Sequence, residues 1–534
     1  MIEKYENYNL IKELITPVKI VNSFNVENSS ELLEKKEPSV SFRTDICADF
    51  VGKDSWILLD FGKELCGGVR IITRIADRDT DIRITLGESV SEACSSIGVK
   101  NATNDHSPRD FSARIPFMSD LTFGLSGFRF VRIELLTDSR VSVQNIFAVS
   151  QITEFPREAV IKTADRALNE IIDTAEYTLR LNFQNGYIWD GIKRDRLVWC
   201  GDLHQEIISS LYLYGDNNNI TNSLSFLRSS TKDDEWMNGM PTYSAWWVIN
   251  FCDYCEYTGN KAFFEENRDY AEFIMNKINN CISDDGEMFF YNDPGQFFLD
   301  WPTALTPDAK IGTAMVIMLA AQRFLRLRDN SVCNEILNKL GRYLDADCKF
   351  KQTRAFQILA GGKSQNDTDF LEKGGAAGFS TFMTYYILTA DAISGGQNML
   401  EMIKEYFGGM LGRGATTFWE DFDISWLKGS GRIDEMPKDG EKDIHGDYGR
   451  YCYEGFRHSL CHGWSSGVIS FIIESLFGIK YSNRDSSIEV IPHASCPEYD
   501  IKMPLENAWL TVSYKDGKIQ IKAPDNIKIR NTVM

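Results

Sequence analysis

Hydrophobic and polar positions change their period twice along this chain. From about residue 41 to 153, apolar residues alternate in the short runs "SWILLDFG", "GGVRIITRIA", "DIRITLGES", "FRFVRIELL" and "VSVQNIFAVS", bounded by Gly, Asp and Ser. Alternation sends every second side chain to one face, and β-branched and aromatic residues suit a pleated surface, so this stretch predicts an all-β sandwich. Residues 1 to about 40 are polar, with an edge strand expected at "PVKIVNSF". From about 157 to 480 the period becomes helical: "ALNEIIDTAEYTLRLNF", "AWWVINFCDYCEYTG", "GTAMVIMLAAQRFLRLR" and "NMLEMIKEYFGGML" each keep apolar residues near i, i+3 and i+4. Helices ending in Gly, as in "YLYG", "EYTG" and "SLFG", carry the C-cap chemistry of a left-handed last residue. From about 484 onward "SSIEVIPHA", "AWLTVSYKDG" and "KIQIKAP" return to strand alternation, with a hairpin turn at Asp516 and Gly517.

The expected fold is therefore multidomain and mainly α. An N-terminal jelly-roll-like β-sandwich (1–155) precedes a toroid of paired helices (156–482), and a small C-terminal β-sandwich (483–534) follows. Loops between the helices are long and aromatic, as in "STKDDEWMNGMPTYS" and "YNDPGQFFLDWPT", which is where function tends to lie.

Composition narrows the function classes. The formal charge of −19 leaves no basic excess to meet phosphates, which argues against nucleic acid and anionic membrane surfaces. The longest apolar run, "AMVIMLAA" at 314 to 321, is too short to span a bilayer and predicts a buried helix. No basic-then-apolar leader opens the chain, and the 12 scattered cysteines fit a reducing cytoplasm better than a disulfide framework; a periplasmic home stays open. The one Cys-x-x-Cys, Cys252 and Cys255, falls on a helical pattern and predicts packing.

One segment does not fit a solvated surface. "WDGIKRDRLVWCGD", residues 189 to 202, interleaves Asp190, Asp195 and Asp202 with Lys193, Arg194, Arg196 and bulky apolar residues. It is either a structural ion-pair knot or the floor of a catalytic cleft. Cleavage of a glycosidic bond needs two carboxyl groups, one protonated to donate to the leaving oxygen and one ionised to deprotonate water. In an inverting enzyme they stand roughly 6.5–9.5 Å apart. Neighbouring Asp190 and Asp202, with Trp189, Leu197 and Trp199 as walls, would raise the pKa of Asp195, while Arg194 and Arg196 oppose this; the sign stays open. Glu420, preceded by Trp419 and followed by Asp421, lies in a second acidic-aromatic setting. Asp300-Trp301-Pro302 forms a fixed turn suited to a sugar face, and Trp236 beside Asp234 is a further stacking candidate. Trp246 and Trp247 lie in an apolar helical pattern and predict core. "HSLCH", with His458 and His462, lacks the Glu of a zinc-protease helix, and "GGKS" at 361 to 364 lacks phosphate-loop spacing.

The segment from Asp190 to Asp202 resembles the acidic motif of the bacterial α-L-rhamnosidases of glycoside hydrolase family 78, roughly D-C-P-Q-R-E-R-L-G-W-T-G-D. "GATTFWEDFD" (414 to 423) is similar to that family's T-T-x-W-E-x-W stretch, and "SLCHGWSSG" (459 to 467) to its His-bearing segment. With the β–α–β order, the likeness covers nearly the whole chain. It implies an (α/α)6 barrel flanked by β-domains, and inverting hydrolysis of terminal α-L-rhamnosides without cofactor or metal. By position, Asp195 would be the general acid and Glu420 the base. Asp190, Asp202 and His462 would contact the sugar, and Arg194, Trp199, Trp236, Asp300, Trp301 and Trp419 are further substrate-binding candidates from their own settings in the chain. The chain departs from the family in having Asp195 where Glu is usual and Gly-Ile-Lys where Cys-Pro-Gln is usual. Two other functions stay open: a carbohydrate-binding protein on the same scaffold, and a uronate hydrolase or lyase using Lys193, Arg194 and Arg413. The implied partner is a rhamnosyl glycan or glycoside, and the sequence leaves a homo-oligomer open.

Overall fold

Helices that are buried on nearly every face form the inner wall of the central domain. In the computed structural model, which describes residues 9–40, 46–291 and 294–530, α3 (Leu203–Tyr214), α5 (Pro241–Thr258), α7 (Pro307–Leu327), α9 (Lys351–Leu359), α11 (Thr384–Ser394) and α13 (Val468–Phe471) are these helices. Each packs on the next, and α13 returns to α3, so the ring closes. The outer helices are α2 (Arg166–Asn182), α4 (Asn218–Ser230), α6 (Lys261–Asn279), α8 (Ser331–Leu340), α10 (Asp367–Glu372) and α12 (Met399–Gly412), while α1 (Val90–Ala93) is a single turn in the N-terminal β-region. An outer helix has one wall to cover. In α2 the buried residues Leu168, Ile171, Ile172, Ala175 and Leu179 form a single stripe, while Arg166, Glu170 and Asp173 face outward. The result is an (α/α)6 barrel, with β-structure at both ends of the chain.

Helix ends follow the glycine signals. Gly259 closes α5 with φ 67° and Gly215 follows α3 with φ 73°, a region closed to most side chains. Trp246 and Trp247 are buried in α5, and Cys252 and Cys255 pack beside them as thiols. Among the described residues no helix is long and apolar enough to cross a membrane.

The N-terminal region is a nine-stranded antiparallel sheet among the described residues, curled around its own apolar core. Its central strand, Trp56–Ala76, pairs with Ser119–Leu135 and Arg140–Thr153, and register shifts at Asp60/Leu65 and Gly67/Val69 bend it between layers. The edge strand expected near residue 20 is Lys19–Phe24; a second, Leu10–Ile15, pairs with Arg140–Thr153 although the region reads as polar. Gly127 marks the contact with the barrel: a Cβ there would lie 2.8 Å from Ile192 Cγ1 and 3.0 Å from Lys193 N, so only glycine lets the two domains close.

The C-terminal strands form two small sheets. One contains Tyr499–Leu505, Ala508–Lys515 and Lys518–Lys522, with the hairpin turn at Asp516 and Gly517. Its fourth strand, Val160–Thr163, comes from the segment before α2, and the second sheet starts at Ile479–Ser482. These strands clasp the barrel from both sides of its sequence.

Candidate active site

The cavity of interest opens at the N-terminal ends of the inner helices. Asp202 precedes α3, Met240 precedes α5, Phe298 and Trp301 precede α7, and His462 and Trp464 precede α13. Helix N-termini leave unpaired N–H groups and a partial positive charge, a setting that tolerates carboxylates where water is scarce. The cavity measures about 300 Å³ and is lined by Asp190, Arg194, Asp195, Trp199, Asp202, Tyr243, Glu420, Cys452, Tyr453 and Arg457, together with the helix-end residues.

Residues 189–202 form the loop that leads into α3. Asp190 Oδ1 accepts from Leu197 N at 2.8 Å, and the backbone of Gly191 forms an antiparallel bridge with His462. Asp195 and Arg196 both take left-handed backbone angles, φ 58° and 57°, which cost non-glycine residues energy and persist only where surroundings over-determine them. Those surroundings are ionic. Arg194 Nη1 donates to Asp195 Oδ1 at 2.8 Å, and its Nη2 donates to Glu420 Oε1. Its Nε donates to the carbonyl of Arg457 at 3.2 Å, so every arm of the fork is engaged.

Glu420 is held on both oxygens: Oε1 by Arg194, and Oε2 by the N–H of Ser459 at 3.0 Å. Its carbonyl accepts from Trp464 Nε1 at 3.0 Å and from the Thr381 hydroxyl, which fixes the backbone too. His462 Nε2 stands among three carboxylates, 3.8 Å from Asp190 Oδ2, 3.9 Å from Asp202 Oδ2 and 3.8 Å from Glu420 Oε1.

Burial shapes the protonation of this group. It pushes Asp190 well above the usual carboxylate range, reinforced by the charges of Asp202 and Asp195. Burial does the same to Asp202, reinforced by Glu420. Glu420 is raised by burial as well, and the guanidinium of Arg194 opposes the rise. His462 is driven well below its ordinary value by burial, then by Arg194, so its imidazole is neutral. Crowded like charges cannot all ionise. Of these three raised carboxyls only Glu420 touches a cation, so it is the one favoured to ionise, and protons reside on the pair Asp190 and Asp202.

Eight of the residues singled out from sequence meet at this cavity: Asp190, Arg194, Asp195, Trp199, Asp202, Trp301, Glu420 and His462. Three do not line it. Trp236 lies elsewhere, with Lys277 Nζ 4.4 Å above its ring and Phe290 edge-on. Trp419 is fully buried against Phe422 and His458, because it alternates with Glu420 and so points away from the cavity. Asp300 caps the turn Trp301–Thr303, accepts from Ser380 Oγ at 2.6 Å, and burial pushes it up to about 6. His458 and His462 do not share a helix face, since the segment is extended; His458 Nε2 accepts from Asp421 N at 2.9 Å.

The residues missed from sequence, Met240, Tyr243, Phe298, Tyr453, Arg457 and Trp464, come from four separate segments. Two more, Glu88 and Glu92, lie outside the barrel. Glu88 of the β-sandwich accepts from Leu460 N at 2.6 Å and Ser459 Oγ at 3.1 Å, behind Glu420. Lys193 reaches away from the cavity to Glu88 at 2.9 Å and Glu92 at 3.2 Å. Glu88, Glu92 and His445 are close enough together to hold a metal ion, but the lysine ammonium already supplies positive charge there.

The barrel is thus a closed ring of six helical hairpins with an acidic-aromatic pocket at its helix N-termini. Residues 156–258 match the family described as bacterial alpha-L-rhamnosidase 6 hairpin glycosidase domain. The fold is similar to that of a family 78 rhamnosidase from Bacillus sp. GL1 (TM-score 0.72, 17% identity), covering 94% of this chain and 55% of that one. It is also similar to a rhamnosidase from Klebsiella oxytoca, solved with rhamnose bound (TM-score 0.69, 18% identity), over 88% of this chain and 97% of that one. An α-L-rhamnosidase from Streptomyces avermitilis, complexed with L-rhamnose, gives a TM-score of 0.66 at 14% identity over 91% of this chain and 50% of that one. The chain thus spans about half the length of the Bacillus and Streptomyces proteins. Comparison with curated proteins returns no match.

Proposed function

We propose that this chain is an inverting, exo-acting glycoside hydrolase that releases terminal α-L-rhamnose or a closely related deoxyhexose from a glycan or glycoside. The observation that carries this reading is the pair of carboxylates, Asp195 and Glu420, held on the two arms of Arg194 at the wall of a cavity of about 300 Å³. That volume lies at the small end of ligand sites and suits one pyranose unit. The rhamnose bound to two of the similar structures supports the same sugar class.

In the reaction, Glu420 is the base. Its ionised form, favoured by Arg194, takes a proton from water as the water attacks the anomeric carbon. Asp195, on the more open side, gives its proton to the leaving oxygen. Trp199, Tyr243, Trp301 and Trp464 supply flat apolar faces, and Asp190, Asp202 and His462 meet the ring hydroxyls.

A uronate substrate is less well served. The cavity cations are Arg194 and Arg457, and each already faces a carboxylate, Arg457 that of Asp105. Lys193 is buried on Glu88 and Glu92, and Arg413 donates to Ser430 Oγ and the Leu427 carbonyl away from the cavity. A second assignment of the acid has an observation in its favour, because burial pushes Asp202 well above the usual carboxylate range.

The test is turnover of p-nitrophenyl α-L-rhamnoside beside a panel of aryl glycosides, with the anomer first released read by proton NMR. Release of the inverted anomer from the α-L-rhamnoside alone supports the reading. Retention, or turnover of another glycoside, overturns mechanism or sugar respectively. No turnover, with rhamnose still raising the melting temperature, would establish a binding protein instead. Comparing Asp195→Asn with Asp202→Asn on a poor leaving group decides which carboxyl is the acid.

A further inference from the structure

Both carboxylates assigned to chemistry belong to the barrel, yet one of them is touched by a side chain from another domain. His106, in the β-sandwich loop 104–109, places Nδ1 2.6 Å from the backbone N of Asp195 and 3.0 Å from its Oδ1. We infer that His106 is a positioning residue for Asp195, so that the N-terminal domain completes the active site. This rests on the hydrolase reading for its consequence, though the contact itself does not.

The loop is built to hold that contact. Asn104 Oδ1 accepts from the N–H groups of Arg109 at 2.9 Å and Asp110 at 3.0 Å, which closes the loop on itself. Asp105 pairs with Arg457, whose carbonyl accepts from Arg194 Nε, and Ser107 Oγ donates to the Leu125 carbonyl at 3.0 Å. The same Leu125 carbonyl accepts from Arg196 Nη1 at 3.1 Å. Residues 105 and 106 are thereby tied to Arg457 and Asp195, and residue 107 to the anchor of Arg196. The contact also joins two strained residues, since His106 takes φ 69° and Asp195 φ 58°.

Its chemistry follows from the donor. With Asp195 N–H pointing at Nδ1, the ring accepts there and carries its proton on Nε2. Asp195 has one methylene less than glutamate, so it depends on its backbone position to reach a leaving oxygen. The imidazole fixes that backbone where Arg194 fixes the carboxyl. Loss of the imidazole would leave Asp195 free to relax from its left-handed angle and withdraw the carboxyl.

Two variants and one spectrum test this. His106→Asn keeps an acceptor near the Nδ1 position and tolerates a left-handed angle; His106→Ala removes the acceptor. A misplacement of about 1 Å can cost 10²-fold in rate. For His106→Ala we expect a 10- to 100-fold fall in kcat on an alkyl rhamnoside, a much smaller fall on the p-nitrophenyl rhamnoside, and KM changed by less than about 3-fold. His106→Asn should recover most of the loss. An equal fall on both substrates, or none, overturns the inference. Separately, ¹⁵N-histidine NMR of the whole chain should show a neutral Nε2–H ring for the signal missing in His106→Asn, and that signal should move in Asp195→Asn. A ring protonated on Nδ1 and indifferent to Asp195→Asn overturns the contact, whether or not any glycoside is cleaved.

Discussion

Arg194 Nη1 lies 2.8 Å from Oδ1 of Asp195, its immediate neighbour in sequence, while the other arm of the same guanidinium holds Glu420. Neighbouring residues can meet in this way only because Asp195 turns back through a left-handed angle. The strain and the ion pair are one feature. A planar fork sets two carboxylates in fixed relation, which a flexible ammonium cannot do.

Arg194→Lys therefore keeps a charge and loses the geometry. Steady-state kinetics on an alkyl rhamnoside should show kcat/KM reduced about 10- to 100-fold for Arg194→Lys and further for Arg194→Ala. Combined with Asp195→Asn, the second change should cost little more, because residues that act as a unit are not additive. Full additivity would mean that Arg194 acts apart from Asp195.

The tryptophans divide by placement. Trp301 lines the cavity, stacked at 5.5 Å on Tyr451 and edge-on to Phe298, whereas Trp236 packs under Lys277 outside it. Trp301→Ala should raise KM for the rhamnoside by about 10-fold, the scale of one lost aromatic contact. Trp236→Ala should leave KM unchanged and lower the melting temperature. The reverse pattern would move the sugar site to the Trp236 face.

Much of this organisation could be read from the chain, and the failures have physical causes. Period marked the β and α regions, because barrel helices need apolar stripes and sandwich strands need alternation. The acidic segment 190–202 was conspicuous because charges among tryptophans are costly unless they are used. Trp236 and Trp419 were indistinguishable from Trp301 by composition; only their packing separates them, since a side chain beside Glu420 must point the other way. The sequence argument for a raised carboxyl among like charges concerns Asp195; in the fold it is Asp190 and Asp202 that burial, reinforced by neighbouring like charge, raises. The contributions of His106 and Glu88 had no local signal, because they depend on a β-domain loop reaching across an interface.

Lys193 supplies a stability test at that interface. It neutralises Glu88 and Glu92, both fully buried, and burial has already pushed Glu88 up to about 7. Lys193→Met leaves Glu88 without its counter-charge while Glu92 keeps Arg109 at 3.8 Å, and breaking a buried pair costs about 3–5 kcal/mol. The melting temperature should fall sharply at pH 8 and less at pH 5.5, where Glu88 can protonate. Equal losses at both pH values would show that the lysine matters for packing alone.

Asp391 offers the clearest case of stability coupled to pH. Neither of its carboxylate oxygens finds a hydrogen-bond partner among the described residues, and burial, then the charge of Glu372, pushes it from 3.8 up to about 7. A carboxyl raised on folding binds its proton more tightly in the native state than in the unfolded one. Its contribution to stability is therefore fully present below about pH 4 and is lost as pH rises through about 7. Asp300, up to about 6, and Asp421, up to about 7, act in the same direction. Asp391→Asn removes the ionisation while keeping the shape. It should raise the melting temperature by several degrees at pH 8 and by little at pH 5, so that the gap between the two pH values narrows relative to wild type. An Asn variant that is destabilised equally at both would mean that the carboxyl has a partner the native fold requires, and that its charge is not what limits stability above neutrality.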